Sequence, residues 1–224
     1  MTHVLVLTAI EVEARRLARH LGLTAVADAG WPHYRGGALE IACVGLRAAG
    51  LAERVSATPR PSLVVSAGAC GGLAPHLGRG DLVAPETVVA PTGVRHATDA
   101  WPALPRAGML LTVADVVETA AAKARLWVET GALGVDMESA MIVEWARARE
   151  LPVVVVRAVA DTATEAVPAD LVALVEPGGR LRPGRAVRAA LARPRALADA
   201  IALGRSTEAA LRTVAASLGK IARS

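Results

Sequence analysis

Short runs of β-branched and aliphatic residues alternate along the chain with longer, alanine-rich segments whose apolar positions recur every three or four residues. The short runs are apolar at consecutive positions, which is the pattern of strands buried on both faces, whereas the longer ones carry one apolar face of a helix. This periodicity predicts strands at 4–7, 39–44, 63–66, 81–89, 109–113, 132–135 and 152–160. It predicts helices at 12–21, 46–57, 119–129, 137–149, 185–192 and 195–222, with Pro183, Gly184 and Pro194 cutting the last fifty residues into pieces. Strands interleaved with helices imply an α/β fold of three layers, a central mixed and twisted sheet flanked by helices.

Composition narrows this picture. With 224 residues the expectation is a single domain, 1–224, and 53% hydrophobic with 21% charged residues excludes a disordered chain. Cys43 and Cys70 are too few and too isolated for a disulfide framework or a zinc site, and no cofactor fingerprint appears, so neither metal nor organic cofactor is expected. The start lacks the basic and small-residue signature of a signal peptide, and no apolar run reaches membrane-spanning length, which predicts a cytoplasmic protein.

Charge is distributed unevenly. Residues 180–224 hold ten basic and two acidic side chains, a net of +8, against −4 for the remaining 179 residues. No aromatic residue follows Trp145, so base stacking is a poor use for this tail and no nucleic-acid partner is expected. Within it Leu197, Ile201, Leu211, Val214, Leu218 and Ile221 recur at helical spacing, which lets one face dock on the domain. Its arginines remain available for an anionic surface, and hence for peripheral membrane contact.

Four segments carry candidate chemistry. In TAIEVEARRL at 8–17, Glu11 and Glu13 fall in the first helical turn after a strand, where ligands of open α/β sheets gather, although acidic residues also stand there to complement the helix dipole. In SAGACGGL at 66–73, a strand should end in a small-residue turn around Gly68, Ala69 and Cys70 whose backbone can approach a ligand. In GVDMESAMIVEWA at 134–146, Asp136, Met137 and Glu138 stand where a strand meets a helix; the apolar and acidic pair could hold an apolar ring face and its hydroxyls, or simply cap the helix. In VVVVRAVADTATE at 153–165, Asp161 ends an apolar strand and is placed to exchange a proton with a ligand, while Arg157 inside that strand needs a carboxylate partner.

These segments, in this order, resemble the nucleoside phosphorylase and nucleosidase superfamily that includes methylthioadenosine/adenosylhomocysteine nucleosidase. The glycine turn at 67–73, VDMES at 135–139 and VVRAVADTAT at 155–164 carry the likeness, and TAIEVEA extends it over most of the first 165 residues. TGALGVDMES, and VPADLVALVEPGGR after Asp161, are closest to the hopanoid-associated purine nucleoside phosphorylase-like enzymes, credited with removing adenine from adenosylhopane. The resemblance implies that Asp161 protonates purine N7, that Glu138 binds the ribose 2′ and 3′ hydroxyls beside Asp136 with Met137 against the sugar, and that Glu13 is the base activating water. It places Gly68, Ala69 and Cys70 near the sugar and nucleophile, and Val116 and Val117 against the base. It implies a small-molecule nucleoside substrate, lipid-linked in the hopanoid case, and a homo-oligomer.

Departures from the family bear on the nucleophile and the substrate. Phosphorylases tend to hold phosphate with an arginine where Glu13 stands and with a second before the glycine turn, where this chain has Leu63, Val64 and Val65. A carboxylate facing phosphate repels it, so water is the expected nucleophile and Arg47 is the one residue that could restore a phosphate site. The serine of the nucleosidases' glycine turn is Ala69 here, and TVADVVET at 112–119 lacks their stacking aromatic ring. Soluble methylthioadenosine or adenosylhomocysteine, phosphorolysis of a purine nucleoside, and a non-catalytic nucleoside-binding protein therefore stay as alternatives. Futalosine hydrolases are expected to carry asparagine where Asp161 stands.

Overall fold

A computed structural model describes residues 3–27, 29–56, 58–102, 104–167, 176–180 and 194–224, with side chains from 205 onward in the last stretch. Four parallel strands form its centre: β1 (Val4–Thr8), β4 (Leu39–Cys43), β5 (Leu63–Gly72) and β11 (Val153–Asp161), with β1 between β4 and β5 and β11 on the other side of β5. The sheet is mixed, as expected. β10 (Gly134–Asp136) runs antiparallel to the end of β5 and leads through β9 (Met109–Thr112) to β7 (Thr87–Val89), while β6 (Leu82–Val83) is antiparallel to β11. Hairpin strands β2 (Thr24–Ala25), β3 (His33–Gly36) and β8 (Arg95–Ala97) extend the edges and were not anticipated, being too short and polar to leave a hydrophobic signature.

Both faces of the central strands are buried, and the period of two sorts their side chains. Val4, Val6, Val65, Val154 and Val156 face α1 (Glu11–Leu21) and the long helix α5 (Pro194–Ile221), whereas Leu5, Leu7, Val64, Val153 and Val155 face α2 (Leu51–Val55) and α4 (Ser139–Arg147). The anticipated docking face of α5 is present in Leu211, Val214, Leu218 and Ile221, all fully buried. The helix anticipated at 185–192, and most of the tail's arginines, lie outside the described residues. No described helix is long and apolar enough to cross a membrane.

Three expectations need correction. The expected helix at 46–57 is a 3-10 turn at Leu46–Ala48 followed by the five-residue α2. Gly45, Arg47 and Ala48 adopt positive φ, and the Arg47 amide donates to the Glu138 side chain at 3.0 Å instead of continuing a helix. The expected strand at 81–89 breaks into β6 and β7 around Pro85, which has no N–H for the ladder. The small-residue turn expected at 66–73 is strand: β5 runs through Gly72 and stays paired with β11 as far as Gly71.

Candidate active site

The carboxyl ends of β1, β5, β10 and β11 converge on one cavity of about 240 Å³, lined among others by Ile10, Glu13, Ala69, Cys70, Met137, Glu138 and Asp161. Three carboxylates that are far apart in sequence thus meet at the strand ends, where α/β proteins bind ligands.

Glu13 is buried at the third position of α1, and its partner Glu11 turns outward to pair with Arg15. One Glu13 oxygen accepts from the Ala69 amide at 2.8 Å and the other from the Ile10 amide at 3.4 Å. Burial pushes its pKa up, against the opposing pull of the Arg157 guanidinium and these amides, the balance expected of a carboxylate able to take a proton. The glycines of β5 are what permit this approach. A Cβ on Gly68, whose φ is +153°, would stand 2.6 Å from both the Arg157 Nη1 and the Glu13 Oε1. Gly68→Ala should therefore displace Glu13, lowering activity and costing about 1–3 kcal/mol of stability, as paired activity and melting measurements would show.

Arg157 sits on the α4 face of β11, 1% exposed, and its partner is Asp136 at 2.8 Å, with the Ser66 and Ser139 hydroxyls at 3.0 and 3.1 Å. Asp136 also accepts from the Thr112 hydroxyl at 2.8 Å and the Ser139 amide at 3.2 Å. Its carboxylate, anticipated beside the sugar, is therefore committed to Arg157 even though the residue lines the cavity. Glu138 is buried two residues on. Burial first, and then the charge of Asp136, push its pKa up to about 7.

Asp161 ends β11 and is the most accessible of the three carboxylates, its side chain 16% exposed. Burial pushes its pKa up, and an ion pair with Lys123 opposes this. Val116 and Val117 line the cavity as anticipated, with Met137, Ala69 and Cys70; Gly68 lies behind the lining, and Gly71 takes a place in it. The Cys70 thiol is raised by burial and stays protonated. Arg47 is not among the lining residues: its guanidinium donates to the Ala114 carbonyl at 2.8 Å and the Asp115 carboxylate at 3.2 Å.

Sequence reasoning missed Ile10, Leu46, Val113 and Val167, which make the wall aliphatic, and it missed Lys123. A signal for Lys123 was present. It is one of two lysines in an arginine-rich chain, and on α3 (Ala120–Thr130) it shares a face with Leu126 and Trp127.

Residues 94–192 match the family model described as the Phosphorylase superfamily. Solved structures similar to the chain include the 5′-methylthioadenosine/S-adenosylhomocysteine nucleosidase from Neisseria meningitidis in complex with methylthio-immucillin-A, with a TM-score of 0.71 and 19% identity over 99% of this chain and 98% of that one. The apo 5′-methylthioadenosine nucleosidase of Arabidopsis thaliana gives 0.71 and 20% over 99% and 96%, and a futalosine hydrolase mutant of Helicobacter pylori gives 0.70 and 15% over 99% and 98%. At these identities the structural likeness is one of fold. No curated protein matches the sequence. The family model covers fewer than half of the residues, and the fold agrees with the resemblance to the nucleoside phosphorylase and nucleosidase superfamily. The chain's fold is that of the methylthioadenosine/adenosylhomocysteine nucleosidases.

Proposed function

We propose that the protein hydrolyses the N-glycosidic bond of a 5′-modified adenosine and releases adenine. The observation that carries this reading is the meeting of Glu13, Glu138 and Asp161 around one cavity whose remaining wall is mostly apolar. Cleavage builds positive charge on the ribosyl carbon and negative charge on the purine. An acid at N7, a base on water and a carboxylate holding the ribose hydroxyls each lower that barrier, and Asp161, Glu13 and Glu138 take these roles in turn.

Water is the nucleophile in this reading, and the engagement of four candidate anion-binding groups supports it. The first amide of α1, at Glu11, donates to the Gly179 carbonyl at 2.8 Å, and the Ile10 amide donates to Glu13, so neither is left for an anion. Arg157 is paired with Asp136, and Arg47 is engaged at Ala114 and Asp115. A phosphate in the cavity would face Glu13 with no unpaired cation among the described residues lining it.

For the 5′ group we propose a large apolar substituent, with adenosylhopane as the substrate. The aliphatic side chains of Ile10, Leu46, Val113 and Val167 support this, as does the likeness of the residues after Asp161 to the hopanoid-associated enzymes. The basic C-terminal segment would then meet the membrane holding such an amphiphile. Free, buried Cys43 and Cys70 fit a reducing, cytoplasmic setting.

The test is adenine release from adenosylhopane and from methylthioadenosine, each with and without phosphate. Release from adenosylhopane without phosphate is the expected result. Strict phosphate dependence would overturn the hydrolytic assignment, and preference for the short thioether would overturn the lipid-linked one.

A further inference from the structure

Lys123 is the one fully buried residue of α3, 1% exposed, on a helix whose other positions are half-buried or exposed. Its ammonium has three protons and three acceptors: an Asp161 Oδ2, the Thr162 carbonyl at 2.8 Å and the Glu165 carbonyl at 2.9 Å. All three acceptors belong to the end of β11 and the loop after it, so a single cation ties that loop to α3. Burying a lysine is unfavourable unless its charge is met, and here Asp161 is the group that meets it. The other nearby carboxylate, Glu165, is held by Arg79 and by the Thr162 amide at 2.8 Å.

The arrangement leaves the two oxygens of Asp161 unequal. Oδ2 is fixed by the ammonium, whereas Oδ1 receives no hydrogen bond among the described residues of a chain in which Asp161 lines the cavity. We propose that Lys123 is the positioning residue of the acid: it clamps Oδ2, presents Oδ1 to the purine, and stabilises the carboxylate that remains once the proton has gone. This rests on the reading of Asp161 as the acid of adenine release. The proton on Oδ1 passes to purine N7 as the glycosidic electron pair moves into the base. The aspartate left behind is paired with Lys123, and it regains a proton from solvent after adenine departs. Glu13 takes the proton lost by the attacking water and returns it to solvent, so charge and protons balance over a turnover.

The consequence concerns acid strength. Groups that face Asp161 are Lys123 from α3, Arg79 from the β5–β6 connection, Glu165 from the loop after β11, and the protonated thiol of Cys70 on β5. Removing the ammonium removes the closest cation, so the variant's acid holds its proton to higher pH and gives it up less readily. An adjacent opposite charge commonly moves the pKa of a carboxylate by about 1–3. Lys123→Met should therefore move the alkaline limb of kcat/KM upward by about one pH unit or more while lowering plateau kcat about tenfold. A purely structural lysine would scale the profile and leave its limb in place.

The experiment records adenine release from adenosylhopane between pH 5 and 10 for wild type, Lys123→Met and Lys123→Arg, with circular dichroism confirming the fold. Alongside it, the Asp161 carboxyl is titrated by 13C NMR in protein labelled at aspartate, using Asp161→Asn to assign its signal. Lys123→Arg, which keeps the charge, should hold the limb near its wild-type position. If Lys123→Met fails to fold, Lys123→Gln, which retains a donor for the Thr162 and Glu165 carbonyls, takes its place. An unmoved limb and an unmoved carboxyl titration in the neutral variant would overturn the role of Lys123. Wild type without adenine release would instead defeat the functional reading, and the NMR titration would still decide whether Lys123 controls the acid strength of Asp161.

Discussion

Replacing Asp161 with asparagine should lower kcat for adenine release by about 10² to 10⁴ and leave KM within a few-fold of wild type. The amide cannot give up a proton at N7, so the purine must leave as an anion, and the penalty falls on the transition state. Binding should change little, because the amide is close in size to the carboxyl and its carbonyl can still accept from Lys123. That ammonium then sits without a counter-charge in a site where the native side chain is only 16% exposed, and some stability is lost. Kinetics must accordingly be taken well below the melting temperature of the variant, with wild type at the same temperature. Retention of kcat within tenfold would remove Asp161 from the role of acid and turn attention to a water-borne proton.

The sequence exposed the parts of this protein that obey a period. Unbroken apolar runs located all four central strands, because a strand buried on both faces has no polar position to hide among, and alternation between α1 and α4 faces then followed from the pleat. Arg157 stood out for the same reason: a charge inside such a run needs a partner, and Asp136 is that partner. The resemblance singled out Glu13 over Glu11, and the structure buries Glu13 while Glu11 turns outward to Arg15. The site was less legible where backbone decided. The glycines at 68, 71 and 72 suggest a turn when read one at a time, but they serve a strand that must pass beneath the Glu13 and Asp161 side chains. Arg47 pointed to phosphate on charge alone, and its positive φ turns the amide to Glu138 and the guanidinium to Asp115. The rarity of lysine could mark Lys123 but not its role, because its partner lies 38 residues away on another element and only packing brings the two together.

Glu138 should reveal itself through stability as well as activity. Its carboxyl is pushed up to about 7 by burial and by the neighbouring charge of Asp136, from an ordinary value of 4.5 in the unfolded chain. Between these values the native state binds the proton more tightly than the unfolded state does. Stability therefore falls as pH rises from about 4.5 to 7, by about 1.4 kcal/mol for each pH unit crossed, and stays lowered above that window. Glutamine cannot ionise and can still accept from the Arg47 amide. Glu138→Gln should therefore be more stable than wild type at pH 8, by on the order of 2–3 kcal/mol, with the difference vanishing below about pH 4.5. The same variant should lose about 10²-fold in kcat/KM, since a charged acceptor for the ribose hydroxyls is replaced by a neutral one that is half donor. Melting curves at pH 4.5 and 8, paired with rates at pH 8, check both halves. A variant no more stable than wild type at pH 8 would mean that the ionised carboxylate is at ease in the empty site. A gain in stability joined to a loss of rate would mean that the fold holds a charge at a cost which the diol of a bound nucleoside then relieves, and ligand-induced stabilisation of wild type should accordingly be larger at pH 8 than at pH 5.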